Sequence, residues 1–360
     1  MANVGCTTEC VTDGVNGFTF RMGDASDLQR VMQRIIDQQS VGEASALYLS
    51  SYHQEHTAAR TFGDSLSHHW RCFSFGCIHN SFGDNSSGYA GGIREWLRSA
   101  VCMQFETRNG NFLYYEEFGS PDAAAVLLIH GSTLTGRQDY CVHSDLVARL
   151  AQRYRVLVPD CRGHGRSEAV RDERGRVTYS FAAMAQDLAD LVEGLAASPA
   201  YVIGHSNGGN VALYMVRHHP HAVRAAVLLA ANAYIDDHVR TRVPIGMDPD
   251  RVEHESPDWM HEMIALHDGA QGAGYWRELL RATIDETITN PDWTAADLAD
   301  VRVPCLCVQG ENDRVNAPGR HAQVLAEWLP GAQLWIPPGV GHSVHYELPD
   351  EFERRVVEFF

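Results

Sequence analysis

The chain has 360 residues, 44% of them apolar, and carries 46 acidic against 29 basic side chains for a formal net charge of −17. That length suits one large domain with an appendage or two ordinary domains, and the field of so acidic a chain repels phosphate backbones and anionic lipid, so neither nucleic acid nor a membrane is an expected partner. No stretch approaches the apolar length of a membrane span and no secretory signal opens the chain, which points to a soluble cytoplasmic protein whose nine irregularly spaced cysteines are reduced.

Residues 1–102 stand apart from the rest of the chain. Glu9 to Phe20, with the order E-x-x-x-D-G-x-N-G, leads into Gly23-Asp24 and the amphipathic segment Asp27 to Asp37. This stretch resembles the final part of a nucleotide-sugar glycosyltransferase with two Rossmann-like domains. The upstream half of such a domain, with its paired glutamates, is missing, so residues 1–40 are read as a remnant without glycosyl-transfer activity. Residues 41–102 are rich in Ser, His and Gly with little periodicity, and are expected to be poorly ordered. His68, His69, Cys72, Cys77 and His79 lie close together there, but their spacing fits no pair-plus-pair zinc template, and no metal is expected.

From residue 103 to 360 strand-like and helix-like segments alternate. Met103 to Arg108 and Phe112 to Phe118 read as a hairpin around Asn109-Gly110. Ala124 to Ile129, Val156 to Val158, Tyr201 to Ile203, Ala225 to Leu229 and Cys305 to Val308 are continuous apolar runs, as in strands covered on both faces, and Leu334 to Ile336 adds another. Amphipathic segments fall between or after them at Asp145 to Gln152, Phe181 to Ala196, Val211 to His218, Arg320 to Leu329 and Glu351 to Phe360. The repetition predicts an α/β fold, a mostly parallel sheet flanked by helices. Residues 232–300 interrupt it with helical pieces, Asp258 to His267 and Tyr275 to Thr287, and with Trp259, Trp276 and Trp293. This is an expected lid, whose tryptophans either bury area or line a pocket.

Within this pattern, Gly204-His205-Ser206-Asn207-Gly208 sits between a strand and a helix. A sharp turn there strains its central residue and leaves no room for side chains two positions to either side, which the glycines satisfy. A serine hydroxyl is a weak nucleophile and needs a base, itself oriented by a third group. Asp313, just past Cys305 to Val308, and His342, just past Leu334 to Ile336, supply candidates. The developing oxyanion needs donors, and the backbone amides of Asn207 and Ser132 are placed for it, one at a helix start and one in the loop after Ala124 to Ile129.

Residues 103–360 resemble the α/β-hydrolase family, in its esterase, lactonase and carbon-carbon hydrolase branch. The resemblance rests on His130-Gly131, Asp160 to Ser167, Gly204 to Gly208, Gly310 to Asp313 and Gly341-His342, in the family's order. It implies an α/β-hydrolase fold with a helical lid, Ser206 as nucleophile, Asp313 as acid, His342 as base, and an oxyanion hole from the Ser132 and Asn207 amides. The implied activity is hydrolysis of a small carboxylic ester, thioester or lactone through an acyl-enzyme, without a cofactor or metal. Serine at 206 argues against the epoxide-hydrolase and dehalogenase branches, which use aspartate there. A carbon-carbon bond hydrolase with the same triad, or a non-catalytic ligand-binding member of the fold, are the alternatives. Asp313 could instead cap a helix near Pro318, and Asp236 or Asp237 could be the acid. His205 is expected to pack beside the turn and His130 to hold its loop, Arg162 to Ser167 to form a structural turn, and His345 and Tyr346 to be possible substrate contacts. Sequence leaves oligomeric state open.

Overall fold

The computed structural model describes residues 101–316 and 320–360. The glycosyltransferase resemblance and the His/Cys cluster, with the other expectations for residues 1–100, lie outside these.

Eight strands form one sheet: β1 (Val101–Glu106), β2 (Phe112–Phe118), β3 (Ala125–Ile129), β4 (Arg155–Pro159), β5 (Ala200–His205), β6 (Val223–Leu229), β7 (Cys305–Val308) and β8 (Gln333–Trp335). Their spatial order is β1-β2-β4-β3-β5-β6-β7-β8. β1 and β2 join antiparallel to a parallel remainder. The fold is that of an α/β hydrolase.

The apolar runs become strands because both faces of the sheet are covered. Along β3, Leu127 and Ile129 join a core shared with the helices α2 (Phe181–Gly194) and α3 (Asn207–His218). Val126 and Leu128 point the other way, into a core shared with α1 (Leu146–Leu150) and with Phe352 and Val356 near the C-terminus. All four are fully buried, so alanine at any of them would cost about 2–5 kcal/mol.

The second strand of the hairpin lies where expected, while the first starts and ends two residues earlier. Glu106 pairs with Phe112, and the connection spans 107–111 rather than Asn109-Gly110 alone. Thr107 accepts the Gly110 amide at 2.9 Å, Gly110 takes φ +80°, and the Arg108 amide leaves the ladder to bond Asp190 Oδ2 at 3.0 Å.

The lid holds four helices of seven residues or more: α4 (Asp237–Gly246), α5 (Pro249–Glu255), α6 (Pro257–Met263) and α7 (Tyr275–Thr287). Asp236 and Asp248 cap α4 and α5 by accepting the amides of Val239 and Arg251. Val252, Met263, Trp276 and Leu280 make a small core of the lid's own. The three tryptophans divide: Trp276 belongs to that core, Trp293 packs on Tyr214 of α3 at 4.8 Å between ring centres, and Trp259 lines the cavity beside Ser206. Among the described residues no helix is long and apolar enough to cross a membrane, and Cys141, Cys161, Cys305 and Cys307 are free. After the lid, α8 (Arg320–Trp328), a short α9 (Val344–Glu347) and α10 (Pro349–Phe359) complete the fold.

Candidate functional site

Ser206 stands between β5 and α3 with φ 56° and ψ −121°, a conformation L residues avoid. Its amide bonds the Leu229 carbonyl of β6 at 2.8 Å and its carbonyl accepts the Gly209 amide at 2.8 Å, so the strain is held by the sheet on one side and the helix on the other. The next residue, Asn207, opens α3, where the first amides of a helix find no partner inside it and face outward with partial positive charge.

β7 and β8 deliver the other two residues. Asp313 follows β7, is fully buried, and places both carboxylate oxygens 3.0 Å from His342 Nδ1. Its Oδ1 also accepts the amides of Val315 and Asn316, at 2.9 and 3.1 Å. Burial pushes this carboxyl up, but the His342 ring and those amides outweigh burial and leave it below the usual carboxylate range. Those two amides lie in the loop ahead of the helix that starts at Arg320, so the carboxylate holds its own loop as well as the imidazole. Asp236 does not reach His342: it caps α4, with Arg320 and His321 beside it, and Asp237 points into solvent.

Ser206, Asn207, Ser132 and His342 line one cavity of about 340 Å³, the lower end of the range for small-molecule sites. With Nδ1 held by Asp313, His342 has Nε2 left to serve a cavity-side partner. No hydrogen bond joins His342 to Ser206 among the described residues; such bonds commonly tighten only when substrate is bound. Val239, Val243, Met247 and Trp259 of the lid and Val315 opposite give the cavity an apolar wall.

The loop after β3 is also strained. Thr133, a β-branched residue, adopts φ 60°. Its carbonyl accepts His267 Nε2 from the lid at 2.8 Å, while His267 Nδ1 accepts the Gly165 amide at 2.8 Å. Asn207 Nδ2 donates to the Tyr179 hydroxyl at 3.5 Å. His130 Nε2 accepts the Cys161 amide at 2.9 Å and Nδ1 bonds Gly131 O at 2.8 Å, so this ring holds its loop. Arg162 pairs with Asp187 through two 2.6 Å bonds and Ser167 Oγ donates to the Asp160 carbonyl at 2.5 Å, so residues 162–167 are occupied internally. Tyr346 lines the cavity. His345 does not, being buried against Asp139.

Asp139, Tyr179 and His267 carry no signal in the sequence that marks them for the site. Asp139 accepts the Gly131 amide at 2.8 Å, His205 Nδ1 and His345 Nε2 at 3.0 Å each, and the Tyr346 hydroxyl. Asp139, His205 and His345 are also close enough together to be weighed as metal ligands. Their separations are those of hydrogen bonds, and each short contact is complete without an ion.

Residues 126–355 match the alpha/beta hydrolase family. The chain belongs to that family. The serine hydrolase BPHL of Mus musculus is 26% identical over 266 residues, 72% of this chain and 87% of its own length. The non-heme chloroperoxidase CPO-A1 of Kitasatospora aureofaciens is 28% identical over 287 residues, 70% and 97% of the two chains. Among solved structures, an esterase from Exiguobacterium antarcticum superposes with a TM-score of 0.58 at 20% identity, covering 72% of this chain and 99% of its own. The enol-lactonase from Burkholderia xenovorans LB400 does so with 0.56 at 21%, covering 71% and 99%. The glycosyltransferase resemblance lies outside the matched span.

Proposed function

We propose that this alpha/beta hydrolase is a serine hydrolase of small carboxylic esters, thioesters or lactones. The observation that carries the reading is the Asp313–His342 pair, both carboxylate oxygens 3.0 Å from Nδ1, beside a cavity that Ser206 also lines. In this reading Ser206 Oγ attacks the carbonyl carbon and His342 Nε2 takes its proton, then gives it to the leaving oxygen or sulfur. Water, activated by the same imidazole, releases the acyl group from Ser206. Asp313 fixes the Nδ1–H tautomer and stabilises the imidazolium. The amides of Ser132 and Asn207 bond the oxyanion, each contributing on the order of 100- to 1000-fold in rate. The serine hydrolase BPHL among the relatives supports the serine mechanism.

The test is labelling with an alkyl fluorophosphonate, located by mass spectrometry, together with hydrolysis of p-nitrophenyl acetate by wild type and Ser206→Ala. Labelling at Ser206 and loss of turnover in the variant are expected. Label on another residue, or undiminished turnover in the variant, would overturn the assignment.

A further inference from the structure

Asp139 is wholly buried in the short π-helix Gln138–Val142 that follows the β3 loop, yet no part of the proposed chemistry uses it. Four donors converge on its two oxygens: the Gly131 amide and His205 Nδ1 on Oδ2, His345 Nε2 and the Tyr346 hydroxyl on Oδ1. A carboxylate is the one side chain of this size that accepts on every side and donates on none. Those donors belong to three different segments. Gly131 precedes Ser132 in the loop after β3, His205 precedes Ser206, and His345 and Tyr346 follow His342. A further bond extends the set, since His205 Nε2 lies 3.3 Å from Ser343 Oγ, next to His342.

We infer that Asp139 is a positioning residue that sets the distance between the oxyanion loop, the serine turn and the imidazole loop. The inference rests on the proposed roles of Ser206, Ser132 and His342. His345 must donate through Nε2, which leaves its Nδ1 a buried lone pair with no hydrogen-bond partner among the described residues. Burial and the neighbouring His205 hold that ring neutral, pushed down to about 4. The His345 ring is therefore held in one tautomer against the Asp139 anion. An asparagine at 139 would accept on one side only and turn its amide hydrogens toward donors on the other. Turned one way it leaves the Gly131 amide, which cannot accept, without its partner, and the loop carrying the Ser132 amide shifts; turned the other way it forces the His345 ring to change tautomer and the Tyr346 hydroxyl to reverse, three and four residues past His342. Displacements of about 1 Å at a reacting centre reduce rates by about 100-fold.

The experiment compares wild type, Asp139→Asn and Tyr346→Phe in the full chain. It measures kcat and KM for p-nitrophenyl butyrate, affinity for phenylboronic acid as a mimic of the tetrahedral adduct, inhibition by butyramide as an uncharged ground-state ligand, and thermal melting. Asp139→Asn is expected to lower kcat about 10- to 100-fold and weaken boronate binding by a matching factor, with KM and butyramide inhibition within about threefold of wild type. Tyr346→Phe, which removes one donor and keeps the anion, is expected to lower kcat and boronate affinity by about two- to fivefold in parallel. Equal losses for boronate and butyramide, or kcat unchanged in both variants, would overturn the inference. If Asp139→Asn does not fold, the parallel loss in Tyr346→Phe decides alone. Failure of the parent reading is distinct: wild type would then not be labelled at Ser206. Label on Ser343 in Ser206→Ala would also overturn it, by showing that the Asp139–His205 pair activates a hydroxyl instead.

Discussion

A Cβ placed on Gly204 would overlap the carbonyl oxygen of Gly208, and it would stand 2.8 Å from the Gly209 amide nitrogen. The last turn of β5 and the first turn of α3 therefore touch backbone to backbone, and Ser206 is held at φ 56° by that contact. Gly204→Ala is expected to destabilise the domain by about 3 kcal/mol or more, at the upper end of the overpacking range, because neither backbone segment can move without breaking ladder or helix bonds. Thermal melting should fall by roughly 6–12 °C in a domain of this size. Gly246→Ala, where an added Cβ meets nothing within 4 Å, is the control and should melt within about 2 °C of wild type. Equal melting of the two variants would refute the contact.

Asp313 has two duties, one to the imidazole and one to its own loop. Asp313→Asn is expected to lower kcat by about 1000- to 10,000-fold, because an amide can present a donor to Nδ1 and favour the wrong tautomer. KM should change little. The amides of Val315 and Asn316 keep an acceptor if the side-chain oxygen stays on them, so the stability loss should stay near 1–3 kcal/mol, read by urea unfolding. A kcat within tenfold of wild type would remove Asp313 from the proposed machinery.

The central strands were legible because burial on both faces writes itself as an unbroken apolar run, as in Val126 to Ile129. β8 was displaced by one residue, since Gln333 and Leu334 are exposed and Trp335 alone of the strand is buried. α4 is hidden in the sequence: Pro244 interrupts it and its apolar periodicity is weak, although Asp236 and the Asp248-Pro249 pair are start signals for α4 and α5. In the site, Ser206, Asp313 and His342 could be found because each sits in a loop just beyond a recognisable strand. Asp139 could not. Its partners lie 8, 66, 206 and 207 residues away, and no local pattern marks a residue whose role is to receive distant donors.

His267 ties the lid to the strained loop using both ring nitrogens: Nε2 donates to Thr133 O and Nδ1 accepts from the Gly165 amide. Protonating Nδ1 would break the second bond inside a buried site, and burial holds the ring down to about 4. The unfolded chain protonates near 6.5. Between those values the unfolded state binds a proton that the native state refuses, so the stability associated with neutral His267 is intact above about pH 6.5 and is lost as pH falls toward 4. Asp160, pushed up to about 6 by burial, works in the opposite direction over part of the same window, so the whole-chain pH profile mixes signs. The single-site test avoids this. His267→Gln should cost stability at pH 7, and the gap to wild type should narrow by about 2 kcal/mol between pH 6.5 and 5, measured by urea unfolding. A gap that does not change with pH would show that this ring titrates normally.

Val239, Val243 and Met247 recur at every fourth residue along α4 and its C-terminal cap, and all three line the cavity with Trp259 and Val315. These side chains present an apolar surface to an acyl chain that enters the cavity. Each methylene seated on such a wall is worth about 1–3 kcal/mol of discrimination. Val243→Phe is therefore expected to lower kcat/KM for p-nitrophenyl hexanoate by about tenfold or more relative to p-nitrophenyl acetate, with acetate turnover little changed. Val243 is only half-buried, so the larger ring can be accommodated without disturbing the fold. If the hexanoate-to-acetate ratio stayed at its wild-type value, the acyl chain would have to lie away from α4.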